Sequence, residues 1–204
     1  MKALLKKDIY VLVRQMKIFL LMIAVFAVVP SVNLSVFAIA YCGMLPYTAM
    51  AYDERSKWPE LAAMMPYTTG DIVLSKYVLG WLATAIASVL SLAAHGVLGR
   101  FLPAEYSMPL SAVLPSFCVG LIMIALTLPL MFRFGVEKGR MFFVLFIVVL
   151  ACGGAGLVQG VSSADDVPAA LQSLVGLGVP ALAVVLTAVS VPLSVRLYDR
   201  QQYA

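Results

Sequence analysis

Five stretches of this chain contain no Asp, Glu, Lys or Arg: Ile18–Tyr52, Tyr77–Gly99, Tyr106–Phe132, Met141–Ala164 and Val167–Val195. A helix needs about 20 mostly apolar residues to cross a bilayer, so each stretch is long enough. Continuous apolar runs lack the in/out alternation of a membrane barrel, which makes the expected spans helical. Composition agrees: 63% of the 204 residues are hydrophobic and 12% are charged. A soluble domain carries roughly 25% charged residues, and a soluble chain this apolar would expose large patches and aggregate. The expected fold is therefore an all-α integral membrane bundle.

Ile18–Tyr52 has 35 residues, roughly 52 Å as one helix, which is too long for a single crossing. Pro30-Ser31-Val32-Asn33 is a turn signal in its middle. Spans one and two are therefore expected within 18–52, as short helices of about 16–32 and 33–52, with Arg14 and Lys17 snorkelling to extend the first. Basic residues choose between the two counts. With six spans and the N-terminus inside, 13 Lys and Arg fall on the cytoplasmic side and one, Arg100, outside. With five spans the split is 6 against 8, which gives no orientation. The positive-inside rule selects six spans with both termini cytoplasmic, in the cell (inner) membrane.

The remaining spans follow at about 77–99, 111–132, 141–161 and 178–197. A short basic turn, Arg133–Arg140, joins spans four and five. Asp166 and Pro168 suit the start of a short external or re-entrant helix at 167–175, ending near Gly176 and Gly178. Residues 1–17 mix Lys6, Lys7 and Arg14 with Leu4, Leu5, Ile9, Val13 and Met16, which predicts an amphipathic helix on the membrane surface; an ordinary basic flank is the plainer alternative. No cleavable signal peptide is visible.

The net charge of +4 does not point to nucleic acid, because the cations sit beside apolar runs and no basic patch alternates with aromatics. Cys42, Cys118 and Cys152 show no metal-ligand spacing and read as small buried hydrophobes. No metal is expected.

Segment 53–76 is long for a link between membrane hairpins. Pro59 suits the first turn of a helix, Glu60 its positive end, and Pro66 ends it. Trp58, Leu61 and Met65 then share a face. Such a stripe, pointing into the cytoplasm, fits a groove on a partner; packing on the chain's own helix ends or on headgroups is the alternative. Thr68 or Thr69 is expected to cap a second helix that continues through Lys76-Tyr77 into span three.

The run Tyr52-Asp53-Glu54-Arg55-Ser56-Lys57-Trp58, followed by Met65-Pro66-Tyr67-Thr68-Thr69-Gly70-Asp71-Ile72-Val73-Leu74-Ser75-Lys76-Tyr77, resembles the small permeases of the type-2 ABC exporter superfamily. Those chains carry an acidic-Glu-Arg pattern, an aromatic, a Leu/Met-Pro turn and an Ile-Val-x-x-Lys-Tyr helix start. The resemblance implies that 53–76 holds a coupling helix seated in a cleft of a separate ATPase, with Glu54, Arg55, Trp58, Glu60, Leu61 and Met65 in contact and Arg133–Arg140 as a lesser contact. Met64-Met65-Pro66-Tyr67 departs from the commoner Leu-Pro-Val/Ile, which bears on the details of docking. It also implies two ATPase chains and a second permease chain, as homodimer or heterodimer. The chain has no Gly-x-x-x-x-Gly-Lys-Ser/Thr loop, so Mg-ATP is expected on the partner and no cofactor on this chain.

Span three carries Thr84, Ser88, Ser91 and His95 at spacings of 4, 3 and 4, on one helical face. Polar residues in a span are candidates for a substrate path, while close helix packing is the bland alternative. Cys152, Gly156 and Gly160 form a small-residue stripe suited to helix packing or a dimer seam. The function expected is an ATP-driven permease, by family analogy an exporter of a hydrophobic or amphipathic substrate such as a peptide, an antibiotic or a lipid-like molecule. A non-transporting immunity or sensor subunit bound to an ABC ATPase is the alternative. An intramembrane enzyme is disfavoured by one histidine and no carboxylate inside the spans.

Overall fold

The computed structural model describes residues 2–29, 37–39, 41–98, 110–162 and 169–202, with most side chains of 142–177 outside the description. The described residues are helical and contain no strand. The helices are α1 (Lys2–Gln15), α2 (Lys17–Val28), α3 (Leu45–Arg55), α4 (Trp58–Ala63), α5 (Thr69–Leu98), α6 (Leu110–Ser162) and α7 (Ala169–Gln202).

Three segments are long and apolar enough to cross a membrane: Thr69–Val97, Val113–Val136 and Gly178–Asp199. The pair α1 and α2 passes the same test together, bent by 88°. The bend falls at Met16, whose φ of −120° and ψ of 34° leave the helical region. The chain is thus a multi-pass membrane protein. The count of six also rests on 33–52, which lies partly outside the described residues, and on 141–161, which is helical but most of whose side chains lie outside them.

Two local expectations change in form. The turn expected over Arg133–Arg140 contracts to one residue, Gly135, with helix on both sides. Its φ of 80° and ψ of 170° belong to a region essentially reserved for glycine. The returning arm folds tightly back: a Cβ on Gly139 would lie 2.5 Å from Met131 Cγ and 3.2 Å from Met131 Cα. The separate helix expected at 167–175 is also corrected, because α7 runs unbroken from Ala169 through Gly176 and Gly178 to Gln202. An interior glycine costs a helix about 1 kcal/mol. Opening the backbone in apolar surroundings leaves several polar groups unsatisfied, which costs more.

Apolar packing forms one cluster of Ile23, Ala27, Ile39, Cys42, Leu45, Leu79 and Ala87, joining α2, α5, the start of α3 and the residues just before it. A second joins α3, α5, α6 and α7 through Tyr47, Val73, Tyr77, Ile124, Leu128 and Phe132, with Val191 and Val195 against it. Buried hydroxyls cross the second cluster. Tyr77 Oη lies 2.5 Å from Ser190 Oγ and 2.8 Å from Ser194 Oγ, and Ser190 Oγ donates to the Ala125 carbonyl. These three hydroxyls are thereby each given a partner in an apolar setting.

Candidate functional site

The segment between α3 and α5 is built by local rules. Lys57 turns the chain in a left-handed conformation, φ 53° and ψ 32°, and Pro59 stands in the first turn of α4. Pro66 follows the end of α4, and Thr68 then caps α5. The Asp71 N–H donates to Thr68 Oγ1 at 3.2 Å, and Thr68 Oγ1 donates to Asp71 Oδ2 at 2.9 Å. Thr68 thus caps the helix through its hydroxyl, and Asp71 holds that hydroxyl in place.

Two adjacent acids at the end of α3 hold the base of the segment. Asp53 takes hydrogen bonds from Lys7 Nζ at 2.7 Å and Lys76 Nζ at 2.6 Å. Lys76 Nζ also donates to Asp8 Oδ2 at 2.8 Å. Lys7 Nζ lies 3.0 Å from Asp8 Oδ1, an ion pair not aligned as a hydrogen bond. The result is a neutral quartet of two lysines and two aspartates joining α1, α3 and α5. Asp8 and Lys76 are its buried members, with side chains 1% and 5% exposed. Buried charges are tolerated only when matched and hydrogen-bonded, so each member depends on the others.

Glu54 reaches the opposite way. Its Oε1 accepts the Val136 N–H at 3.2 Å. The break at Gly135 frees that N–H at the start of the returning arm of α6, and a carboxylate there satisfies both the donor and the positive end of the helix dipole. Asp53 and Glu54 therefore link α3 to α1 and α5 on one side and to the α6 turn on the other. A cavity of about 220 Å³ lies among these parts, lined in part by Trp58, Lys76, Phe132, Gly135 and Tyr198.

The sequence-predicted contact residues separate into two groups. Trp58 is half-buried against the cluster of Leu4, Ala62 and Ile72, and Lys7 Nζ stands 4.2 Å from its ring centroid. Leu61 and Met65 are exposed, as is the neighbouring Met64. Arg55 and Glu60 are exposed as well. The tip thus keeps Leu61, Met64 and Met65 on its surface and turns Trp58 and Ala62 inward.

Thr84, Ser88, Ser91 and His95 do lie on one buried face of α5. Thr84 donates to the Gly80 and Trp81 carbonyls and Ser88 to the Thr84 carbonyl, so these hydroxyls bond their own helix. Thr84 Cγ2 sits where a Cβ on Gly120 would be 3.3 Å away, which places the face against α6. Cys152, Gly156 and Gly160 fall in the last turns of α6, with side chains outside the described residues.

Sequence reasoning missed Asp8, although its signal was present: an acid in register with Leu4 and Leu12, the two buried apolar residues of α1. It also missed Ser190 and Ser194, four apart on α7 and therefore on one face.

The profile of the ABC-2 family transporter proteins matches residues 3–199. No curated protein and no solved structure gives a match. The family profile spans α1, the ion quartet, the α4 tip and nearly all of α7, so the chain belongs to the ABC-2 family of transporter membrane proteins.

Proposed function

We propose that this chain is the membrane-spanning permease subunit of an ATP-driven exporter, coupled through residues 53–76 to a separate ATPase. One observation carries the reading: an exposed apolar tip, Leu61, Met64 and Met65, stands on a base whose charges tie it to three other helices. Exposed methionines and leucine beside Arg55 and Glu60 suit a groove with an apolar floor and a polar rim. A push on the tip is carried by Asp53 to α1 and α5, and by Glu54 to the turn of α6.

On this reading the tip faces the cytoplasm, Mg-ATP sits on the ATPase, and two permease chains pair above two ATPase chains. The Cys152, Gly156 and Gly160 stripe belongs to helix packing or to the seam between permeases. The cargo is hydrophobic or amphipathic, and it meets Thr84, Ser88, Ser91 and His95 only when α5 parts from α6. ATP closure shifts the permease between two states by its differential affinity for them, and the permease contributes its own difference in cargo affinity.

The test is co-purification from the native membrane in mild detergent. The expected result is an ATP-binding subunit held by the wild-type chain and lost with Leu61→Asp and Met65→Asp together. Absence of any such subunit from the wild-type sample would sink the proposal. A cysteine at Glu60 labelled only by reagents added outside the cell would overturn the topology. ATP-dependent cargo movement in vesicles separates an exporter from an immunity or sensor subunit.

A further inference from the structure

The 88° bend between α1 and α2 leaves a partly open groove of about 280 Å³ in its inner corner, walled on the far side by α5. Ile9 and Val13 of α1, Ile23 and Ala24 of α2, and Ala83 and Ile86 of α5 shape it, and no charged side chain enters its lining. Apolar cavities of this size stay dry and accept apolar ligands. Because α2 runs on from the bend as an apolar helix, the groove opens toward bilayer hydrocarbon rather than water.

The surroundings of the groove carry charge of one sign. Residues 2–29 hold five basic side chains and one acid, Asp8. Asp8 is consumed by Lys7 and Lys76. Lys2, Lys6, Arg14 and Lys17 are all exposed. Lys6 precedes Ile9 by three residues and Val13 by seven, on the groove-facing side of α1, and Lys17 stands just past the bend. A second copy of this chain docked here about a two-fold axis would bring the same cations together. A lipid with an anionic headgroup matches both features.

We propose that this elbow is a binding site for one acyl chain of an anionic phospholipid from the leaflet that holds α1, with Lys6 and Lys17 engaging the headgroup phosphate. The bend at Met16 sets the groove's width, and the headgroup then sits along the cationic edge of α1. Lipid binding here holds α1 against α5, beside the ion quartet.

The full-length chain is reconstituted in phosphatidylcholine nanodiscs containing a minor fraction of acyl-spin-labelled phosphatidylglycerol or, in a parallel sample, acyl-spin-labelled phosphatidylcholine. Electron paramagnetic resonance reads the immobilised fraction. The wild type is expected to prefer phosphatidylglycerol by about fivefold to thirtyfold, the effect of one to two basic side chains at an anionic surface. Ala83→Phe and, from the opposite wall, Ala24→Phe fill the groove and are expected to remove the immobilised component. Lys6→Gln with Lys17→Gln is expected to keep that component while lowering the preference toward one. Equal immobilisation of the two lipids by the wild type overturns the proposal, as does an immobilised component that persists in both filled variants. Absence of an immobilised component from the wild type also overturns it and leaves the groove to a second protein chain.

Discussion

Lys76 on α5 and Asp8 on α1 stand 68 positions apart in sequence and 2.8 Å apart in space, both almost wholly buried. The pair fixes where the N-terminal helix meets α5, at the residue just before the second charge-free stretch. Removing either leaves the quartet with one unmatched charge, although Lys76 keeps Asp53 and Asp8 keeps Lys7. We expect Lys76→Met or Asp8→Leu alone to lower stability by about 3–5 kcal/mol, the usual cost of an uncompensated buried charge. The double variant leaves Lys7 paired with Asp53 at 2.7 Å, so its loss should be well below the sum of the two. Thermal unfolding of the four proteins in one detergent supplies the cycle; additive losses would refute the coupling.

The α6 turn makes a second, sterically separable prediction. Gly135→Ala forces a side chain into the backbone region at φ 80° and ψ 170° and should cost about 1–3 kcal/mol whatever the neighbours are. Gly139→Ala fails for a different reason, since its Cβ would meet Met131 Cγ at 2.5 Å. Truncating Met131 to alanine removes that side-chain clash but not the 3.2 Å approach to its Cα. The cost of Gly139→Ala should therefore shrink, without vanishing, in a Met131→Ala background, while the cost of Gly135→Ala should not change. Folded yield and Tm for the six proteins decide the point; equal costs in both backgrounds would remove the clash as the cause.

Much of this architecture is legible in the sequence because the bilayer leaves few options. Charge-free runs become apolar helices, and α5 begins where Thr68 and Asp71 say it should, since a cap is a local event. The resemblance carried by Tyr52–Trp58 and Met65–Tyr77 identifies the family and agrees with the family match. The quartet was less legible, because Lys76 and Asp53 read as flanking charges until the fold brings Asp8 to them. Glu54, which the resemblance places at a partner surface, also meets the Val136 N–H. That donor is free only because Gly135 breaks the helix, a backbone fact with no pairwise signature in sequence. Trp58 shared an ideal helical face with Leu61, but α4 has only 6 residues, and the inner surface claims its aromatic.

This division of α4 separates binding from stability. Leu61→Ala and Met65→Ala remove exposed side chains and should change Tm by no more than about 0.5 kcal/mol equivalent, yet weaken capture of the ATPase. Trp58→Ala should do both, since it also removes the ring beneath Lys7 Nζ and the packing on Leu4 and Ile72. Parallel measurements of Tm and of ATPase retained per permease test the split. A large loss of Tm in Leu61→Ala would place that side chain in the core rather than at a docking surface.

The hydroxyl relay between α5 and α7 gives the last prediction. Tyr77→Phe keeps the ring in its cluster and deletes only the oxygen that meets Ser190 and Ser194. Ser190 still has the Ala125 carbonyl, whereas Ser194 loses the partner that the fold gives it. An unsatisfied buried hydroxyl costs about 1–3 kcal/mol, so Tyr77→Phe should lower stability by that order. Ser194→Ala should be costly in the wild type and close to neutral once Tyr77 is phenylalanine, because the hydroxyl it deletes is then already unpaired. If Ser194→Ala costs the same in both backgrounds, the bond across α5 and α7 does not stabilise the bundle, and apolar packing alone joins those helices.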